Sequence, residues 1–188
     1  MPDMPQFPTG VDRRAFKFAA EPASNNSVPE AVNIATAPLS DCPTRKYVTG
    51  LLDRELLSAR NAAVPICLVV TELMPKPSDN LAPQFITEAL YAVSKIFRSH
   101  LRPNDIILRY RDVLLALILP ASDDPGGRSV CARLNRAVSQ RLFFGNSNIT
   151  VQPIFGLSAQ LAEQKISGEH ILAAAEADLQ RLKFEHSK

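Results

Sequence analysis

The chain has 188 residues, with 21 Lys+Arg against 19 Asp+Glu, a net charge of +2, and 46% hydrophobic content. That length suits one domain plus a tail, and that composition supplies a core, so a wholly disordered chain is excluded. Near-balanced charge argues against a general nucleic-acid binder. The longest apolar stretch, Val113–Leu119, is strand-sized and too short for a membrane span. The first ten residues, MPDMPQFPTG, hold no apolar core of a secretory signal. Cys42, Cys67 and Cys131 are odd in number, far apart and without metal spacing, which fits a reducing cytoplasm.

Residues 1–40 carry Pro2, Pro5, Pro8, Pro22, Pro29 and Pro38 among small polar residues. Prolines block helix and ladder hydrogen bonds, so a disordered or loosely docked arm is expected here, with a domain over 41–188. Within the arm, Val11–Phe18 mixes apolar and basic residues and could add as a strand to a neighbour or dock on a partner, the plain alternative being a mobile tail with two incidental phenylalanines.

From residue 41 the elements alternate. Leu52, Leu56 and Leu57 suggest a helix following Thr49-Gly50, and Ile66–Leu73 reads as a buried central strand. Pro75, Pro77 and Pro83 predict a loop. Leu90, Val93, Phe97 and Leu101 mark an amphipathic helix that breaks at Arg102-Pro103-Asn104-Asp105. Ile106–Arg109 and Val113–Leu119 predict a hairpin around Tyr110-Arg111-Asp112. Asp123 and Asp124 offer caps for a helix opened by Gly126-Gly127, with Val130, Leu134, Val138 and Leu142 as its buried stripe and Phe143-Phe144 at its end. Ile149–Ser158 predicts a strand that Pro153 makes irregular or an edge. Ser167 caps a last helix carrying Ile171, Ala175, Leu179 and Leu182. The fold class is therefore α+β, an α/β sandwich with a mixed, largely antiparallel sheet flanked by helices.

Five segments in this order resemble landmarks of the GGDEF family of bacterial diguanylate cyclases, over about 46–184. Val48-Thr-Gly-Leu-Leu-Asp-Arg54 resembles its LTGLxNR opening, and Arg102 through Asp105 to Arg109 its RxxDxxxR run. Ala116–Pro120 resembles the strand after the signature, Ile154–Ser158 the SIGVA strand, and Ala175–Lys183 the closing ADxALYxAK helix. The signature itself falls on Arg111-Asp112-Val113-Leu114-Leu115. Where the family has two glycines that let the nucleotide approach the backbone, Arg111 and Asp112 stand. Val113 and Leu114 replace its acidic pair, and Thr71 replaces the metal-binding aspartate of the central strand. Glu72, one residue on, belongs to the opposite face. Asp79 is the best match for the nucleotide-recognising Asn, Thr87 or Glu88 for the base-recognising Asp, and Lys46 stands where the opening motif has Asp. Phosphoryl transfer needs metals to neutralise developing charge, so the resemblance implies a pseudo-cyclase with no catalytic residues, metal or cofactor.

In active members of that family the RxxD run is a product site for cyclic di-GMP. The resemblance places ligand-binding residues at Arg102, Asp105 and Arg109, with Arg128 or Arg133 as a second cationic wall. An arginine fork suits phosphate or the Hoogsteen edge of guanine, and a carboxylate suits guanine's N1–H and amine. A second RxxD, Arg109–Asp112, shows how common the pattern is, and a solvated Arg–Asp pair capping a helix is the plain alternative. Lys183 matches a phosphate-contacting lysine but reads as a solvated helix residue. His100, His170 and His186 lack metal spacing, and Cys67 reads as an inert buried thiol. The expected function is a cytoplasmic, non-catalytic cyclic di-GMP receptor that signals to a protein partner, through residues 1–40 in one version, with a homodimer left open. The alternative is a nucleotide-independent scaffold acting through protein–protein contacts. A residual cyclase would be revealed by product from GTP and magnesium.

Overall fold

A computed structural model describes residues 45–186 apart from 76–82, 112, 139–141, 145–146 and 150; the side chains of residues 75, 83–87 and 142–149 are also left undescribed. The arm at 1–40 and Cys42, Asp79 and Asp112 lie outside the described residues, as does the side chain of Thr87. In chain order the elements are α1 (Arg45–Asn61), β1 (Ile66–Pro75), α2 (Pro83–His100), β2 (Ile106–Tyr110), β3 (Leu114–Pro120), α3 (Asp124–Val138), β4 (Leu142–Phe144), β5 (Ser147–Ile149), β6 (Val151–Gln160) and α4 (Gly168–His186). Strands β2-β3-β1-β6 form one sheet in that order, and β4 and β5 form a separate small hairpin. Every strand pairing is antiparallel.

The hydrophobic runs read from the sequence fill the two central strands. Cys67, Leu68, Val69 and Val70 of β1 and Leu115 through Leu119 of β3 are buried on both faces, because helices cover both sides. Cross-strand register divides the sheet cleanly. Thr71 lies opposite Leu115 and Phe155, and Glu72 opposite Leu114 and Ile154, so the two neighbours face opposite layers. On the Thr71 side, Phe97 of α2 packs on Phe155 with ring centroids 6.0 Å apart, and the start of α3 at Gly127 sits against Cys67 and Leu157. On the Glu72 side lie α4 and α1, which pack on each other. The backbone of α4 at Ala175 and Leu179 rests directly on Gly156, so that no side chain fits there.

Several boundaries differ from the sequence expectation, each for a physical reason. Helix α1 starts at Arg45 and runs through Thr49-Gly50, because Val48, Leu51, Leu52, Leu56 and Ala59 make one buried stripe. Pro75 ends β1 and Pro83 opens α2, where its missing N–H costs nothing; Pro77 is outside the described residues. Tyr110 is the last residue of β2, fully buried, and not part of a polar turn. Helix α3 stops at Val138, so Leu142 and Phe143-Phe144 belong to β4 and not to a helix. Ile149 closes β5, and the long strand runs from Val151 to Gln160 as the sheet edge that Pro153 implied. The caps hold as read: Gly126 N–H donates to Asp123 Oδ1 at 2.9 Å, and His170 N–H to Ser167 Oγ at 3.3 Å. Burial pushes the Cys67 thiol up to about 12, in keeping with an inert thiol.

Candidate functional site

The residues singled out in the sequence gather at two places: the tip of the β2–β3 hairpin and the turn that leads into β2.

At the hairpin, Tyr110 pairs with Leu114, leaving Arg111 at the tip with φ 56°. That is left-handed backbone, which glycine enters freely and arginine does not. Side-chain polar groups from three elements meet beneath it. Tyr110 Oη donates to Glu176 Oε1 of α4 at 2.7 Å, and Arg111 Nη2 lies 3.0 Å from the same oxygen. Arg45 of α1 donates to Glu176 Oε2 at 2.7 Å, to Tyr110 Oη at 2.9 Å and to Glu169 at 2.7 Å and 2.9 Å. Burial by itself would raise the Glu176 carboxyl. Hydrogen bonds from Arg45 and Tyr110 with the charges of Arg45 and Arg111 outweigh it, and the carboxyl sits below its ordinary value. Burial, and then the hydrogen bond to Glu176, push the Tyr110 phenol up.

Two turns further along α4, Lys183 Nζ donates to both oxygens of Glu72 at 2.8 Å. Tyr110, Leu114 and Glu72 form one cross-strand row, so β2 and β1 are two strand spacings apart there, about 9.6 Å. Residues seven apart on a helix are separated by about 10.5 Å. The match lets α4 clamp the sheet at two polar points. Lys183 is thus a half-buried ion-pair partner, not the solvated residue that the sequence suggested.

The described donors here do not fit a divalent metal. Thr71 presents a buried hydroxyl that finds no hydrogen-bond partner among the described residues, Leu114 and Leu115 are buried hydrocarbon, and the Glu72 carboxylate faces the other layer against Lys183. Among the described residues no three His, Cys, Asp or Glu side chains gather.

The second place is a tight turn. Helix α2 ends at His100, and Asp105 N–H donates to the Arg102 carbonyl at 3.1 Å. In return Arg102 N–H donates to Asp105 Oδ2 at 2.8 Å, and Asp105 is only 4% exposed. Arg98, one helical turn before, donates to the carbonyls of Asp105 at 2.6 Å, Arg102 at 2.7 Å and Pro103 at 3.3 Å. The Arg102 side chain is exposed, and no carboxylate engages it among the described residues.

The other named arginines are spread around the sheet. Arg109 is half-buried near the far end of β2, four residues or about 13 Å along the strand from Asp105, in the row of Leu115 and Thr71. Arg128 and Arg133 are five positions apart on α3, about 140° around the helix. Arg128 bonds Asp124 at 2.6 Å and lines a cleft of about 330 Å³ along β6, the sheet edge opposite β2. It therefore does not face the Arg102 turn. Arg133 is half-buried on the same helix, and its Nε is buried with no hydrogen-bond partner among the described residues.

Sequence reasoning missed Arg98, although a cation four residues before the break, in the last turn of a helix, was a usable signal. It also missed the Arg45–Glu176 contact, whose partners stand 131 residues apart and carry no local pattern.

The sequence model described as "Diguanylate cyclase, GGDEF domain" matches residues 36–188. No curated protein matches the chain by sequence. Among solved structures, the fold is similar to the GGDEF domain of FimX from Pseudomonas aeruginosa, with TM-score 0.65 and 15% identity over 78% of this chain and 92% of that one. It is similar to the GGDEF domain of DgcB from Caulobacter crescentus, solved with c-di-GMP, with TM-score 0.64 and 19% identity over 85% and 94%. A third likeness is to the diguanylate cyclase SiaD of P. aeruginosa, solved with its activator SiaC, with TM-score 0.64 and 17% identity over 79% and 58%.

Proposed function

The chain belongs to the GGDEF family, and we propose that within it this protein is a non-catalytic receptor for cyclic di-GMP that passes occupancy to a protein partner. The observation that carries the proposal is the Arg98–Asp105 turn. Two reciprocal hydrogen bonds, one between backbone groups and one from the Arg102 N–H to the Asp105 carboxylate, and a guanidinium fix its shape, while the Arg102 side chain is exposed and no carboxylate among the described residues engages it. A fixed loop bearing a bare arginine fork suits a phosphate oxygen or the Hoogsteen edge of guanine. That DgcB is solved with c-di-GMP and SiaD with a protein activator gives family precedent for both kinds of partner.

The other end of β2 supports the non-catalytic part of the proposal. Arg111 holds the left-handed position at the hairpin tip, where a glycine would leave the backbone bare, and its guanidinium reaches Glu176. Thr71, Val113 and Leu114 offer no carboxylate for a metal, and Lys183 is committed to Glu72. Incubation with GTP and magnesium is expected to give no cyclic dinucleotide.

Calorimetric titration of cyclic di-GMP into the wild type and Arg102→Ala tests the receptor role. Micromolar or tighter binding to the wild type alone, weakening as salt rises, is the expected result. No heat from either, with both folded, would replace the receptor with a nucleotide-independent scaffold.

A further inference from the structure

Among the described residues β6 has a strand on one side only, its partner β1, so its other edge offers ladder groups to any further strand. Beside the first half of that edge lies the cleft of about 330 Å³, flanked by Cys131 and Ala132 of α3 and by Leu182 of α4. Space for an extended segment is therefore present, and the ladder groups decide whether one is taken. In an antiparallel pair the backbone groups of alternate residues point toward the partner and away from it. Two observations place the outward set at Val151, Pro153, Phe155, Leu157 and Ala159. Pro153 has no N–H, and a proline is tolerated in a ladder where that position faces away from the partner. Leu157 N–H donates at 3.0 Å to Asp178 Oδ2 of α4, and so away from β1.

We infer that Asp178 and Pro153 close this edge, so that it takes up no strand from a second copy of the chain. Symmetric antiparallel pairing of two β6 strands about Leu157 would set Leu157 against Leu157, Phe155 against Ala159 and Pro153 against Leu161. Asp178 occupies the central donor in each copy and puts a carboxylate oxygen where the incoming carbonyl oxygen must sit. Any register that spans Leu157 draws on the same donor. Pro153 removes a second donor at the flank. The carboxylate reaches the strand because Gly156 lets the α4 backbone rest on β6 at Ala175 and Leu179. Its other oxygen, Oδ1, is held by Arg181 Nη2 at 2.7 Å, which keeps the carboxylate charged and in place. The closure is built from α4 and β6 alone, so it stands whether or not the Arg102 turn binds a nucleotide.

Sedimentation over a concentration series of the full chain, with amide exchange read at each concentration, tests the closure. In the wild type, protection at Phe155 and Ala159 is expected not to grow with concentration. Asp178→Ala frees one donor per copy, two per symmetric pair, and is expected to strengthen self-association by about thirty-fold. Protection should then appear at Phe155, Leu157 and Ala159 together. Pro153→Val restores the flanking donor and is expected to act in the same direction; it carries the test should Asp178→Ala fail to fold. Asp178→Asn keeps a carbonyl oxygen for Leu157 N–H and is expected to behave as the wild type. Unchanged association in both Asp178→Ala and Pro153→Val would overturn the inference and leave the flanking helices as the barrier. New association with protection on β2 in place of β6 would overturn it too, as would a wild type whose Phe155 and Ala159 amides become protected on concentration. Asp178→Asn associating as strongly as Asp178→Ala would overturn the capping role of the oxygen.

Discussion

The two ends of strand β2 use arginine in opposite ways. At the Tyr110 end, Arg45 and Arg111 converge on one carboxylate, Glu176, which the tyrosine hydroxyl also reaches. At the Asp105 end, Arg98 spends its donors on main-chain carbonyls, and Arg102 is left facing solvent. The difference lies in what is packed opposite. Helix α4 lays carboxylates over the hairpin end, and none of the described residues brings one to the Arg102 guanidinium. An arginine becomes available to a ligand when the fold withholds its counter-ion, which the arginine's own neighbours in sequence do not determine.

The seating of α4 therefore decides the comparison, and the strongest way to break it is at Gly156. Gly156→Ala forces a methyl group into the α4 backbone at Ala175 and Leu179 and is expected to cost about 3 kcal/mol in urea unfolding. Next is the second clamp. Lys183→Met leaves the half-buried Glu72 carboxylate unpaired and should cost about 1–2 kcal/mol, part of it regained when Glu72→Gln is added, which a double-mutant cycle will read. Arg102→Ala, by contrast, should leave the melting temperature within about 1 °C, as an exposed residue with no ion-pair partner among the described residues should.

Acid sharpens the contrast further. Glu176 titrates below its ordinary value in the folded state, so its contribution is present above the unfolded-state pKa and is lost as pH falls through the folded one. Stability should decline below about pH 4.5, the carboxyl's ordinary value, and Arg45→Ala should flatten that decline without touching nucleotide binding at Arg102. The smallest effect expected is a gain. Gly50 is a helix-interior glycine with open space around its Cβ position, so Gly50→Ala should add about 0.5–1 kcal/mol.

Much of this molecule was legible before any coordinates. The alternation of apolar runs with amphipathic stripes gave the elements and the layer type, since periodicity records which face is buried. Pro153 marked the sheet edge, and Asp123 and Ser167 marked two helix starts, because cap and proline chemistry acts over three or four residues. Boundaries slipped where a local cue competed with packing. Thr49-Gly50 looks like a helix start, yet the buried stripe carries α1 through it, and Phe143-Phe144 looks like helix until β4 pairs with β5.

The candidate site divides along the same line. Sequence by itself determined the residue types at each position: an arginine at the hairpin tip, no acidic pair behind it in Val113 and Leu114, and an Arg-Pro-Asn-Asp turn ahead of β2. Only the tertiary structure decided their states. It paired Lys183 with Glu72 across 111 residues, buried Asp105 inside its own turn, and sent Arg128 to the opposite edge of the sheet from β2. The physical reason is range. Backbone preferences and caps act within a few residues, whereas charge and desolvation depend on whichever elements the fold brings within a few ångströms.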